Sequence, residues 1–254
     1  MVKPVNSAEV SGDLIRRLED LSLRCERTSL VTATPFLTPA DQVSALQWTK
    51  QRCRCATVLT GGHPDCERKM LFFLPDWAEA LPEEEYLAAI RLTAGFSTPT
   101  HRDYLGALLG MGVRREVVGD IWVSGQQATV FCAMSVADHL SALSQVGRET
   151  VRAERIPLSD VFSPVLSRKQ LEFTVQSPRL DAVLSDVFRI SRENAAKLIR
   201  LGAASLNYLP CMKPDAAVGA GDVLSLRGYG KAEITSVGGL SRKGRLYIHA
   251  EVYQ

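Results

Sequence analysis

Apolar residues recur at helical spacing in the first part of the chain. Four of them fall on one side of a helix with 3.6 residues per turn: Leu14, Ile15, Leu18 and Leu21. This stripe predicts an amphipathic helix with Ser11 as its N-cap. A second helix is predicted from Pro39, because proline is favoured at the first helical position and apolar residues follow at helical spacing.

Two short apolar runs, residues 56–59 and 70–74, come after these helices. The segment between them contains Gly61-Gly62-His63-Pro64-Asp65, whose residue types favour a turn. The two runs therefore predict strands. Together with the helices they indicate a small N-terminal α+β domain over residues 1–78.

The next segment, residues 79–158, contains strand and helix patterns in a regular order. It predicts, in order, a strand at 86–92, a helix at 101–111, strands at 120–123 and 128–132, a helix at 136–146 and a strand at 150–156. This β-α-β-β-α-β order is the ferredoxin-like plan, which RNA-recognition modules share with many enzymes, so the fold alone does not indicate a function. Phe131 is the one aromatic residue of the third strand, so base stacking on this sheet is not expected.

The last segment begins after a proline-containing connector, residues 159–177. Residues 178–254 predict two helices, 180–188 and 192–201, followed by strands at 204–206, 223–227, 232–237 and 246–252. The chain as a whole is therefore expected to be an α+β protein with a small N-terminal unit, a ferredoxin-like middle domain and a third α+β domain.

Composition agrees with a folded globular protein. Of the 254 residues, 46% are hydrophobic and 23% are charged, which excludes wholesale disorder and fibrous classes. The longest uninterrupted run of apolar residues and glycine, 105–113, is too short for a membrane-spanning helix, which needs about 20 residues. Without an export signal, we expect a cytoplasmic protein whose six cysteines are reduced thiols.

The positive charge of the chain is concentrated at its C-terminal end. Residues 177–254 contain 11 Lys/Arg and 7 Asp/Glu, a net charge of +4, whereas residues 1–176 carry −2. A cationic segment beside a near-neutral remainder indicates an anionic partner, and nucleic acid is the commonest one.

The predicted helix 192–201 has a cationic face and an apolar face. A rotation of 100° per residue places Lys197 and Arg200 on one arc next to Arg192, and Ala195, Leu198, Ile199 and Gly202 on the other. Ser191 is positioned as the N-cap, where free backbone N–H groups favour a phosphate. A phosphate-binding face and an ordinary solvated face both fit this pattern. In either case charge reversal on the cationic arc is expected to leave the fold intact, whereas Ile199→Ala opens a cavity.

A second cationic cluster lies in the glycine-rich segment that follows. Arg227, Lys231, Arg242, Lys243 and Arg245 against Glu233 give +4 within 19 residues. Glycine lets the backbone approach phosphates closely, and clustered cations release counterions on binding. A flexible, solvated hairpin is equally compatible with this composition.

The order of residues in this third segment resembles the S4 RNA-binding domain. The matching positions are Arg179-Leu180-Asp181, Ser191-Arg192, Ala195-Ala196, Ile199, Gly202, Asn207, Gly221-Asp222 and Ser225. The resemblance implies that Arg179, Arg192, Lys197 and Arg200 face an RNA backbone. It also implies that the fold is supported by Asp181, Leu184, Ile199 and Leu206.

Two further stretches are similar to the YlmH family, which includes the S4-domain proteins of plastids and cyanobacteria associated with photosystem II. They are residues 100–113 (THRDYLGALLGMGV) with Arg115 and Gly119-Asp120-Ile121, and residues 227–231 (RGYGK). Gly61-Gly62 and Glu67-Arg68 agree with the family, whereas His63 and Cys66 replace an expected aromatic and a small apolar residue. The resemblance runs from residue 35 to the C-terminus.

What is known of this family implies RNA binding in ribosome-associated quality control. The implied partners are large-subunit rRNA and peptidyl-tRNA on the large ribosomal subunit, with no membrane partner and a monomer when free. In the third domain the predicted RNA-binding residues are Arg179, Ser191, Arg192, Lys197, Arg200, Asn207, Lys213, Arg227, Lys231, Arg242 and Lys243. In the middle domain a second contact is predicted at His101, Arg102, Arg114 and Arg115.

Enzymatic alternatives find weaker support. Arg179-Leu180-Asp181 is similar to the catalytic motif of pseudouridine synthases, but the 73 residues after Asp181 leave no room for their large catalytic domain. His101 and Asp103 could act with Ser97, yet residues i and i+2 point to different faces of a helix. No phosphate-binding glycine loop followed by Lys-Ser/Thr is present. We therefore expect no catalysis and no cofactor, although a protein-interaction role stays open for residues 1–78.

A zinc site is the last alternative. Cys53, Cys55, His63 and Cys66 supply four zinc-competent side chains within 14 residues. Structural zinc sites usually have two to four residues between their first two cysteines, whereas one residue separates Cys53 from Cys55. The spacing therefore favours reduced thiols and no bound metal.

Overall fold

The computed structural model describes residues 12–163 and 168–253. These residues form two compact units that divide at residues 164 and 165. The predicted N-cap Ser11 lies outside the described residues. None of the described helices is both long enough and apolar enough to span a bilayer.

The first unit begins with two helices on a three-stranded sheet. Its elements are α1 (Gly12–Thr28), β1 (Thr32–Ala33), α2 (Pro39–Arg52), β2 (Ala56–Thr60) and β3 (Met70–Leu74), with strand order β1-β3-β2. The helix predicted from Pro39 is confirmed, and the Thr38 hydroxyl caps it by accepting a hydrogen bond from the Asp41 amide. Leu18 and Trp48 pack on one face of the sheet against Leu71 and Phe73.

The rest of the first unit has the predicted ferredoxin-like topology. Its elements are α3 (Glu83–Tyr86), β4 (Leu87–Ala94), α4 (His101–Gly110), β5 (Val118–Ser124), β6 (Gln127–Ala133), α5 (Met134–Ser141), β7 (Gln145–Val146) and β8 (Glu149–Ile156). The strand order is β5-β6-β4-β8-β7, with antiparallel neighbours throughout. Helices α4 and α5 cover one face through Tyr104, Leu108 and Leu140. The α+β fold class is thus confirmed.

The predicted helix 136–146 is wrong in its second half. α5 ends at Ser141, and residues 145–146 pair with residues 149–150 in a hairpin that turns at Gly147. Leu143 and Val146 are buried, as their spacing required, but a loop and a short strand bury them rather than a helix. Gly147 allows this turn because its backbone has φ +60°, which is unfavourable for other residues.

The second face of the middle sheet is covered by the segment around residues 61–68. A Cβ at Gly62 would stand 3.1 Å from the Phe131 ring, and the backbone of Gly62 has φ +92°. Cys66 packs beside Phe131 in a buried cluster, and the His63 ring meets Trp122 edge-on at 5.0 Å. His63 and Cys66 therefore serve internal packing, and Phe131 is closed to any base.

The second unit places two helices on one side of a six-stranded sheet. Its elements are β9 (Arg168–Val175), α6 (Leu180–Phe188), α7 (Arg192–Arg200), β10 (Ala204–Leu206), β11 (Leu209–Pro210), β12 (Val223–Leu226), β13 (Gly230–Leu240) and β14 (Leu246–Tyr253). The strand order is β11-β10-β12-β13-β14-β9. The core joins Leu184 and Ile199 of the helices to Leu224, Ile234 and Ile248 of the sheet.

The predicted connector 159–177 contains a strand that the sequence prediction missed. All eight residues of β9 pair antiparallel with β14. Leu171, Phe173 and Val175 alternate with polar residues, which is a period-2 signal. The prolines around this stretch led to its interpretation as a linker. The C-terminal unit thus extends upstream of the predicted boundary at 178.

Candidate nucleic-acid interface

A buried carboxylate orients two arginines at the start of the two C-terminal helices. Asp181, in the first turn of α6, has a side chain only 7% exposed. Arg192 donates from Nε to Oδ2 at 3.1 Å and from Nη2 to Oδ1 at 3.3 Å, while Arg179 donates from Nε to Oδ1 at 3.2 Å. The Ala182 amide also donates to Oδ1, at 2.9 Å. The Asp181 carboxylate therefore fixes both guanidinium groups.

These contacts decide the protonation of Asp181. Burial acts to raise the pKa of its carboxyl, but the hydrogen bonds from Arg192 and Arg179 outweigh burial and hold that pKa below its ordinary value. Asp181 therefore stays ionised at neutral pH. The Arg192 and Arg179 side chains remain 56% and 41% exposed, so the guanidinium N–H groups not used on Asp181 face solvent.

Helix α7 has the two faces that its sequence predicted. Ala195 and Ile199 are buried, whereas Arg192, Lys197 and Arg200 are exposed. The Ser191 hydroxyl accepts a hydrogen bond from the Asn194 amide at 3.2 Å and so caps the helix. The predicted N-cap is thus confirmed. Ser191 is exposed, and its RNA contact stays a prediction.

The start of α7 borders an open cleft of about 520 Å³. Helix α6 lines it with Ser185 and Asp186, and the β13–β14 turn lines it with Lys243 and Arg245. Arg192 completes the lining, so three cations from two distant parts of the sequence surround one cleft. Burial raises the pKa of Asp186, which Arg245 partly offsets.

The β13–β14 turn holds a defined conformation. The Ser241 amide donates to the Arg245 carbonyl at 2.8 Å, and the Arg245 amide donates to the Ser241 hydroxyl at 3.0 Å. The Arg245 guanidinium donates to the Thr174 carbonyl of β9. Arg242 and Lys243 are exposed at the tip. Hydrogen bonds therefore hold the base of this turn, while phosphate binding by its exposed cations stays a prediction.

The other predicted contacts in the C-terminal unit lie outside this cleft. The Asn207 carboxamide donates to Asp222 Oδ1 at 2.8 Å and accepts from the Val223 amide at 3.0 Å, so both of its polar atoms bind within the fold. The Lys231 ammonium lies over the rings of Tyr208 and Tyr253, at 4.8 and 4.7 Å. Because Ala232 beside it faces the core, Lys231 is on the opposite side of the sheet from the helices. Arg227 and Lys213 are exposed in loops.

The four cations predicted as a second contact in the middle domain lie at the start of α4 and in the loop after its end. His101 and Arg102 start this ten-residue helix, and Arg114 and Arg115 follow its end, about 15 Å away along the axis. Arg114 pairs with Glu116 at 2.9 Å. The Arg115 guanidinium donates to the carbonyls of Val118 and Gly119, and burial lowers its pKa. Arg115 thus has a structural role.

The residues considered for catalysis have structural partners. Asp103 and Thr100 form a capping box at the start of α4, whose hydrogen bonds lower the pKa of Asp103. The Ser97 hydroxyl donates to Glu149 Oε2 at 2.7 Å. Neither Ser97 nor Asp103 is therefore paired with His101 in the way a nucleophile and its base are.

The four candidate zinc ligands lie in two separate places. The thiols of Cys53 and Cys55 are 3.6 and 3.9 Å from the Ser22 hydroxyl, in the core under α1 and α2. Cys66 is buried on the middle sheet, and His63 packs on Trp122. Within the described ranges 12–163 and 168–253, no group of three or more His, Cys, Asp or Glu side chains is arranged to hold a metal ion.

The Asp120 carboxylate joins two stretches that resemble the YlmH family, Glu67-Arg68 and Gly119-Asp120. Asp120 accepts hydrogen bonds from the Glu67 amide at 2.5 Å and the Arg68 amide at 3.0 Å. A Cβ at Gly119 would lie 2.7 Å from the Phe36 ring, so only glycine fits there without a shift. These residues therefore join the N-terminal sheet to the middle sheet inside the first unit.

Known proteins resemble the chain at three levels. Residues 83–160 match the family model described as "Putative RNA-binding domain in YlmH". The chain is 33% identical over 221 residues to the ribosome-associated protein quality control protein P2 of Bacillus subtilis (strain 168), with 86% of each chain covered. Its fold matches the cell division protein ylmH from Streptococcus pneumoniae with a TM-score of 0.56 and 16% identity, over 64% of this chain and 100% of that one. At this identity, the last match concerns the fold alone.

Proposed function

Because the chain belongs to the YlmH family, we propose that it binds RNA and acts in ribosome-associated protein quality control. The description of the matched family model and the name of the Bacillus subtilis relative both support this role. The finer proposal is that the partner is a large ribosomal subunit still carrying a stalled peptidyl-tRNA, and that the C-terminal unit makes the main contact with rRNA or tRNA.

The observation that carries this proposal is the cationic cleft at the start of α7. Arg192, Lys243 and Arg245 present guanidinium and ammonium groups around a space large enough for a phosphate. Arg192 is already held in one orientation by Asp181, so less side-chain freedom is lost when a phosphate binds. Arg179, on the same carboxylate, and exposed Lys197 and Arg200 extend the cationic surface.

We assign this surface to phosphate binding rather than to catalysis. Asp181, which matches the catalytic position of pseudouridine synthases in sequence, is buried under two arginines that occupy both of its oxygens. A nucleophilic aspartate needs an open approach to substrate, which this arrangement does not offer. The proposal is therefore an RNA-binding protein that acts through its contacts.

Sedimentation provides the test. A lysate is run through a sucrose gradient with and without ribonuclease, and the protein is followed in the large-subunit fraction. We expect Lys243→Glu to lower its share in that fraction, because a carboxylate replaces a cation at the cleft. Lys169→Glu is the matched control, since it changes the net charge of the same unit equally at an exposed position outside the cleft. If both variants sediment with the large subunit to the same extent as the parent protein, the proposed site is wrong.

A further inference from the structure

The loop between β4 and α4 carries the most exposed large apolar side chain of the described residues. Phe96 is 94% exposed, although it follows directly on the buried end of a central strand. An aromatic ring so open to water loses the hydrophobic free energy that burial would supply. The Phe96 ring is therefore accessible to a binding partner.

The backbone under Phe96 is held firmly in place. The Glu149 carboxylate accepts hydrogen bonds from the Phe96 amide at 2.8 Å, the Ser97 hydroxyl at 2.7 Å and the Ser97 amide at 3.3 Å. The Gln126 side chain donates to the Phe96 carbonyl at 3.3 Å. Two hairpin turns of the middle sheet thus fix the loop from both sides. The ring projects from a rigid support, so little backbone entropy remains to be lost on binding.

The charges around the ring are mainly positive. His101 and Arg102 are exposed at the start of α4, five and six residues after Phe96. Arg148 is exposed beside Glu149 in the β7–β8 turn, and Arg152 is exposed on β8 opposite Thr93.

The two nearby carboxylates are engaged inside the loop. Glu149 accepts from the loop backbone, and Asp103 accepts from the Thr100 amide at 2.8 Å. The outward-facing charge at this end of the sheet is therefore cationic, which suits a polyanion.

We propose that Phe96 stacks on an unpaired nucleobase of RNA, while Arg102 and Arg148 contact the phosphates beside it. An aromatic ring flanked by cations is the combination that binds single-stranded nucleotides, because every base offers a π-face and every linkage a phosphate. A protein pocket would instead be expected to meet a cluster of apolar side chains, whereas Gly95 and Ser97 flank this ring. The inference rests on the proposed RNA-binding function and gives the middle domain its own contact.

With Phe96 as the stacking residue, the middle domain can bind a base although the face of its sheet offers no ring. Phe131 of the third sheet strand is buried beneath Gly62 and Leu158, so the sheet face does not supply a ring. Phe96 supplies one from the end of the sheet instead. The base would thus approach the loop edge, next to the start of α4, rather than the flat of the sheet.

The test compares four substitutions of one side chain. Phe96→Ala, Phe96→Leu, Phe96→Tyr and Phe96→Trp are each titrated against purified large ribosomal subunits, and thermal melts confirm that this exposed position leaves the fold unchanged. Stacking predicts that the alanine and leucine variants bind about tenfold or more weakly, whereas tyrosine and tryptophan retain affinity, since base stacking depends on an aromatic face. On binding, the tryptophan variant should also show fluorescence quenching beyond that of the parent.

The outcomes separate this inference from the proposed function. Leucine binding as tightly as phenylalanine would overturn it in favour of an apolar protein pocket, and alanine binding as tightly would mean that the ring makes no contact. Lys243→Glu, measured in parallel, reports on the C-terminal cleft alone. Loss of binding in Lys243→Glu with no effect of Phe96→Ala removes the stacking site and leaves the proposed function standing.

Discussion

Arg192 and Asp181 are joined by two parallel hydrogen bonds, Nε to Oδ2 at 3.1 Å and Nη2 to Oδ1 at 3.3 Å, across the α6–α7 corner. The Arg192 guanidinium therefore pairs with Asp181 within the fold and also presents N–H groups to solvent. The helical pattern places Arg192 and Arg200 on one arc and predicts that reversing either charge leaves the fold intact. The ion pair revises that expectation for Arg192.

Charge reversal of Arg192 and of Arg200 should therefore change the unfolding free energy by different amounts. Arg192→Glu sets a carboxylate beside buried Asp181 and removes two of its hydrogen bonds. We expect a loss of about 1–2 kcal/mol in unfolding free energy, moderated because Arg192 is half exposed and Arg179 still pairs with Asp181. Arg200→Glu should change that free energy by no more than about 0.5 kcal/mol. Calorimetric melts of both variants measure the difference, and equal melting temperatures would contradict it.

Both variants should nevertheless bind RNA more weakly. Each lost phosphate contact is expected to make the slope of log affinity against log salt shallower by roughly one unit for a duplex partner. A filter-binding titration over a range of salt concentrations measures this slope. An unchanged slope for Arg200→Glu would mean that the outer face of α7 does not touch RNA.

The buried side of α7 should respond differently. Ile199 is fully buried in the core of the C-terminal unit, so Ile199→Ala removes packed methyl groups and should cost about 2–5 kcal/mol. All three tryptophans, Trp48, Trp77 and Trp122, lie in the first unit, so tryptophan fluorescence does not report this loss. Calorimetry does, and we expect the transition of the C-terminal unit to move to lower temperature. Leu201→Ala, at an exposed site just after the helix, is the matched control.

Acid should lower the unfolding free energy of the C-terminal unit, because Asp181 becomes protonated. Its carboxyl has a pKa in the folded state below the unfolded value of about 3.9, so ionisation stabilises the fold above that value. The contribution is lost as the pH falls through the lower, folded-state pKa. The stability gap between the parent and Asp181→Asn should therefore narrow as the pH drops from 6 toward 2. A gap that stays constant over this range would mean that Asp181 makes no ionic contribution.

Thiol chemistry offers an independent check of the core. Burial raises the pKa of Cys25 and of Cys132 to about 12, and it also raises that of Cys66. At pH 8 these thiols are almost entirely protonated and enclosed, so iodoacetamide should leave them unmodified in the native protein. The half-buried thiols of Cys53, Cys55 and Cys211 should react before them. In denaturant, all six cysteines should react, and mass spectrometry of the peptides follows each one.

The fold could be predicted from sequence wherever one periodicity held over a whole element. Apolar residues at helical spacing predicted α1 and α7, proline predicted the start of α2, and the turn residues 124–126 predicted the hairpin of β5 and β6. The prediction failed where two elements shared one periodic pattern, as after Ser141, where Leu143 and Val146 continue a helical spacing through a loop and a strand. It also missed β9, whose alternation lies among prolines.

The sequence predicted which cations lie on the surface of the C-terminal unit, but it did not predict which side chains orient them. The helical pattern found the cations of α7, and the family resemblance assigned Asp181 to the fold. That Asp181 orients Arg179 and Arg192 depends on how α6 packs on α7, which a single sequence does not encode locally. Exposed Phe96 carried no periodic signal, because an isolated aromatic in a loop matches no pattern of core or motif.

Strand β9 has a practical consequence for anyone who isolates the C-terminal unit. It pairs with β14 over eight residues and is itself the edge strand on that side of the sheet, so it covers the more buried β14. A fragment that begins at residue 178 lacks β9 and leaves the N–H and C=O groups on that side of β14 without partners. Bare edges of this kind recruit strands from other molecules and promote aggregation. A fragment that starts upstream of Arg168 keeps the edge covered and should stay monomeric at concentrations where the shorter one precipitates.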